Sequence, residues 1–118
     1  MPTALALLSN GTTEPVTFSA SEVAAYDAIH KVVDGYIEIR DIPHLGLTMW
    51  MNEDGKANDL PYNHNATLLY RAADRTAYIV GNVVVTTMQQ SLDLTEQGIA
   101  SLRRLLNTLA AGSANPVG

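Results

Sequence analysis

The sequence predicts one α+β domain: a mainly antiparallel sheet of about four strands with two principal helices and one short helix, in the order β-α-β-β-α-β-α. Three observations lead there. Two stretches, 20–33 and from Asp93 or Thr95 onward, repeat apolar side chains at helical spacing behind capping residues. Others, at 36–42, 46–52 and 76–87, alternate in polarity or run in β-branched residues between turn signals. Finally, 118 residues of which 47% are apolar suffice for one core, burying about two thirds of the surface the unfolded chain exposes. The domain is assigned to 1–112, with a frayed tail at 113–118 where Pro116 stands among small residues.

Taken in order, the apolar run at 3–8 ends at Ser9-Asn10-Gly11 and is short enough to be a strand. A loop follows. Ser19 and Glu22 have the spacing of a reciprocal helix cap, Ala25, Ile29, Val32 and Val33 recur at helical intervals, and Gly35 marks the stop. Tyr36 to Ile42 alternates, Pro43 ends it, and Leu47 to Met51 alternates again into the Asp54-Gly55 turn, so these two strands are expected to form a hairpin. From Lys56 to Asn65 the chain is polar and carries Pro61, which excludes a regular element. Asn63 or Asn65 then caps a short helix over 66–73. The β-branched run within 76–87 reads as a central strand, with Gly81 marking a bulge or a close approach. Ile99, Leu102, Leu105, Leu106 and Leu109 stripe the last helix, which Gly112 closes. The helices are expected on one face of the sheet.

Charge and composition exclude several functions. Seven Lys and Arg against 12 Asp and Glu give a net charge of −5, which repels phosphate, so no duplex nucleic acid is expected as a partner. Without Cys there is neither a disulfide framework nor a thiolate nucleophile. The opening apolar segment is too short for a membrane span and has no basic start, so the expected location is the cytoplasm, with no membrane partner. His30, His44 and His64 lie apart, without the i+3 or i+4 partner of a metal site, and position 50, where a calcium loop ending at Gly55 would need an oxygen ligand, is Trp. No glycine-rich phosphate cradle and no Gly-x-Ser-x-Gly elbow is present. No enzyme, cofactor or metal is expected.

Three groups of residues remain. Half of the 12 acids (Asp34, Glu38, Asp41, Glu53, Asp54, Asp59) fall between 34 and 59, and if Glu38 and Asp41 face outward with the turn acids they form an acidic edge for a basic protein. Met49, Trp50 and Met51 give both faces of one strand a large apolar side chain, of which one face suits core and the other a contact patch. The loop Asp59-Leu-Pro-Tyr62-Asn63-His-Asn65, with Arg71 beyond it, gathers amides, a ring and a cation that suit a small ligand, unless Asn63 merely caps the helix.

The ordered pattern Gly35-Tyr-Ile-Glu38, Asp54-Gly55, Leu60-Pro-x-Asn63-x-x-Ala66-Thr67 and Ile79-Val-Gly81-x-Val-Val-Val85 resembles a family of small proteins of unknown function from actinobacteria, gut bacteria and their phages and mobile elements. The resemblance implies a small accessory protein, often phage-encoded, with no assigned catalysis. Where that family often has an acidic residue after the last glycine, this chain has Asn82. The expectation is therefore a non-catalytic binding protein that modulates a host process by occupying a host protein. The alternatives are a binder of a nucleotide-like signal through Trp50, Tyr62, Asn63, Asn65 and Arg71, with Arg75 nearby, and an enzyme whose site assembles only in the fold. An exposed sheet edge needs protection or a partner, so a homodimer is expected.

Overall fold

The computed structural model describes residues 2–88 and 92–114. Its strands are β1 (Thr3–Leu7), β2 (Thr13–Thr17), β3 (Ile37–Ile42), β4 (Leu47–Asn52) and β5 (Val83–Thr87), and its helices α1 (Glu22–Val33), α2 (His64–Tyr70) and α3 (Thr95–Ala114). The five strands form one antiparallel sheet in the order β2-β1-β5-β4-β3. The α+β class stands, with five strands in place of about four.

The added strand is β2, expected as loop. Its sequence Thr-Glu-Pro-Val-Thr is polar and broken by Pro15, and it survives because it sits at the sheet edge, where a missing N–H costs nothing. The last strand is shorter than expected. Residues 76–82 contribute only an isolated bridge between Tyr62 and Val80, and regular pairing begins at Val83. Gly81 stands at the transition with φ +78°, and a Cβ there would lie 2.8 Å from Leu60 Cδ1, so it marks a close approach rather than a bulge.

The helices occupy both faces of the sheet, not one. Leu5, Leu7, Leu47, Met49, Met51, Val83 and Val85 pack against Leu69 of α2 and Ile99, Leu102 and Leu106 of α3. On the opposite face Ala4, Ala6 and Val84 pack against Ala25, Ile29 and Val33 of α1, with Phe18 closing one side. The continuous apolar runs of β1 and β5 are thereby explained, since a strand buried on both faces has no polar alternation.

Helix ends follow local chemistry. Ser21, not Ser19, caps α1, accepting the Ala24 N–H at 3.1 Å. Asp34 takes the left-handed position at its end, one residue before the expected stop at Gly35. Asn63 caps α2. A 3₁₀ turn over Pro43–Leu45 joins β3 to β4 in the expected hairpin. α3 continues through Gly112 to Ala114 instead of closing at the glycine, so the tail expected at 113–118 starts as helix and from 115 lies outside the described residues.

Candidate functional site

The expected ligand loop is largely a structural device. Asn63 is fully buried. Its Nδ2 donates to the Leu7 and Gly81 carbonyls, both at 2.8 Å, while Oδ1 accepts the Ala66 N–H at 3.0 Å, so its polar atoms are engaged inside the protein. Thr67, also buried, accepts the Ile79 N–H at 2.8 Å and donates to the Ile79 carbonyl at 3.3 Å. Asn82 accepts the Ser9 N–H at 2.8 Å, a backbone-tying role that suits an amide as well as a carboxylate. Asn65 Nδ2 reaches the Gly11 carbonyl at 3.3 Å, and Arg71 Nε the Ala77 carbonyl at 3.3 Å. Tyr62 is half-exposed, with its ring 6.2 Å from His64. Trp50 is not part of this group; it lies on the α1 face of the sheet, as its pairing with Val84 requires.

The acids also separate. Glu38 and Asp41 differ in parity along β3 and so point to opposite faces. Glu38 holds Arg40 Nε at 2.5 Å, and Asp41 accepts the Thr48 hydroxyl at 2.8 Å. Glu53 and Asp54 lie in the turn after β4 and Asp59 stands alone at φ +53°, so no continuous acidic edge forms.

Two of the concavities formed by the described residues can receive a ligand or a partner side chain. The first, about 400 Å³, lies between the β3–β4 hairpin and 74–80 and is lined by Glu38, Arg40, Glu53, Lys56, Asp74 and Tyr78 among others. Most of its charges are already satisfied. Arg40 is held by Glu38 and lies over the Tyr70 ring at 5.6 Å, and Lys56 lies over the Tyr78 ring at 3.9 Å. Asp74 accepts the Thr76 hydroxyl and N–H, which lower its pKa below the ordinary carboxylate value.

The second, about 520 Å³, lies between α1 and β4 and is lined by Glu22, Val23, Tyr26, Asp27, Trp50 and Leu92. Here most of the lining is apolar, and part of it is open to solvent. Val23 is 72% exposed, Tyr26 50%, and Ile39, directly across from Trp50 in the β3–β4 register, 53%. Trp50 is anchored by its indole N–H, which donates to the Thr86 hydroxyl at 2.9 Å, and Tyr26 stacks on His30 with ring centroids 5.9 Å apart. Two aromatic side chains held in place form the wall, and two carboxylates, Glu22 and Asp27, form the rim.

Sequence reasoning identified Trp50 but not Val23 and Tyr26. The available signal was their position on α1: they lie three residues apart, off the stripe of Ala25, Ile29 and Val33 that meets the sheet. Large apolar side chains outside the core stripe of an amphipathic helix mark a second contact surface.

Among the described residues no group of His, Asp and Glu is arranged to hold a metal ion, and no helix is long and apolar enough to cross a membrane. A family model described as a domain of unknown function (DUF3846) matches residues 4–107, nearly the whole described domain. No curated protein and no solved structure matches the chain.

Proposed function

Because the chain belongs to the DUF3846 family, whose description assigns no activity, we propose that it is a small non-catalytic binding domain that seats a partner protein in the groove between α1 and β4. The observation that carries this reading is the apolar wall formed by the exposed Val23 and Tyr26 and the half-buried Trp50, with the Trp50 indole held by Thr86 and the Tyr26 ring stacked on His30. Aromatic anchors immobilised before binding lose little further rotamer entropy, which is why such residues dominate contact energies. The rim of Glu22 and Asp27 and the net charge of −5 select the occupant: an apolar side chain flanked by Lys or Arg on a basic partner surface.

The setting we propose is the bacterial cytoplasm, with the protein acting as a phage or mobile-element accessory that occupies a host protein. The cysteine-free composition and the ordered sequence pattern support it. The loop at 59–65 offers little to a nucleotide-like signal, because Asn63 is engaged internally and Trp50 faces elsewhere.

The test is capture from host lysate with the wild type and two surface variants, Val23→Glu and Tyr26→Ala, followed by affinity measurement on the purified partner. Both positions are exposed enough that folding should change by less than about 0.5 kcal/mol. Binding is expected to weaken by about thirtyfold in either variant, about 2 kcal/mol, and to fall as salt rises. Capture of a protein that both variants retain at wild-type strength would remove the groove from consideration.

A further inference from the structure

The two edges of the sheet differ in what they offer to another chain. On a strand, successive residues turn their N–H and C=O groups to opposite sides. The Phe18 N–H donates to the Pro2 carbonyl across β1 and β2, so even-numbered residues of β2 face β1 and odd-numbered ones face out. Pro15 is odd: the donor that proline lacks is one that would have pointed outward, and this edge is blocked.

At the other edge the Glu53 N–H donates to the Tyr36 carbonyl, so even-numbered residues of β3 face β4 and Ile37, Ile39 and Asp41 turn their backbone groups outward. None of these is proline, and among the described residues no strand lies beyond β3. We propose that this edge pairs with β3 of a second copy, antiparallel, about a two-fold axis through Ile39.

The sequence of β3 is complementary to itself in that register. Ile39 meets Ile39 of the second copy as a hydrogen-bonded pair, and Ile37 pairs with Asp41, so every residue that offers outward backbone groups finds another that does. Glu38 then stands opposite Arg40, and Arg40 opposite Glu38, in the non-hydrogen-bonded positions where side chains approach most closely. In the single chain this pair is satisfied along the strand; across the axis each charge gains a partner of opposite sign. Moving the two-fold axis by one residue would set Glu38 against Glu38 or Arg40 against Arg40, and shifting the register by one would turn the inward-facing backbone groups to the new partner. The half-exposed Ile39 becomes the centre of the contact.

The test is the mass of the full chain by native mass spectrometry and by sedimentation over a range of concentrations. The wild type should be a dimer. Arg40→Glu places like charges opposite each other twice, and the dissociation constant should rise about a hundredfold. The exchanged pair, Glu38→Arg with Arg40→Glu, restores opposite signs and should restore the dimer, an outcome that a merely damaged fold would not give. Ile39→Pro removes an outward donor without touching the β4 ladder and should yield a folded monomer. A wild type that stays monomeric at every concentration, or an exchanged pair no better than Arg40→Glu alone, would overturn the proposal. The groove is tested separately, since Val23→Glu should leave the dimer intact.

Discussion

At the scale of single residues, Asn63 joins three parts of the chain through one side chain: the end of β1, the turn at Gly81 and the first turn of α2. Its amide can do this because it carries donors and an acceptor on one planar group. Asn63→Ala is expected to destabilise the fold by about 3 kcal/mol, the sum of a lost cap and two lost buried hydrogen bonds, measured as a lower midpoint in urea unfolding. Asn63→Asp keeps the acceptor but turns a charge toward two carbonyl oxygens and should be no milder. That Asn63 caps a helix was legible from its position ahead of Ala66 and Thr67. That it also reaches β1, 56 positions away in sequence, was not, because a contact of that range leaves no local pattern.

Among the elements, those with a periodic face were legible: α1, the β3–β4 hairpin, α2 and α3 were all expected close to where they lie. β2 was not, because an edge strand is held by its neighbour's backbone and needs neither alternation nor β-branched residues. Placement of the helices on both faces was written in the uninterrupted Ala4-Leu5-Ala6-Leu7 and Val83-Val84-Val85 runs. The candidate site was legible only at Trp50, since the other wall comes from the flank of α1 beside its core stripe and meets it only after folding.

α3 is fastened to β1 by the Leu94 N–H on the Thr3 carbonyl at 2.8 Å and by Asp93, whose carboxylate accepts the Thr3 N–H at 2.9 Å and the Thr95 N–H at 3.0 Å. The hydrogen bond from Thr3, then that from Thr95, lower the Asp93 pKa below its ordinary value. A carboxylate with a folded pKa below its unfolded one stabilises the fold fully above the unfolded value, about 4, and loses that contribution as pH falls through the folded one. Asp93→Asn should therefore melt below the wild type at neutral pH, and the gap should close in the acid range. A gap independent of pH would mean that the charge does not hold this junction.

For the whole molecule, the unequal edges decide what kind of assembly the sheet permits. On the proposed β3 pairing, with β2 blocked at Pro15, association stops at two copies, because the two-fold contact consumes the one open edge among the described residues. Pro15→Thr supplies the missing outward donor, and light scattering should then show growth beyond the dimer, most strongly at high concentration and low salt. Retention of the wild-type mass distribution would show that something other than Pro15 protects that edge.

The strand order has a consequence in time as well. β5, late in the chain, lies between β1 and β4, so it separates an amino-terminal hairpin from a middle one that have no ladder of their own in common. Each hairpin closes over a short loop and forms early, but neither inner edge is occupied until residues 83–87 arrive. During synthesis neither inner ladder can close before residues 83–87 have been made. The sheet is continuous only through β5, the single strand that carries a ladder to each hairpin.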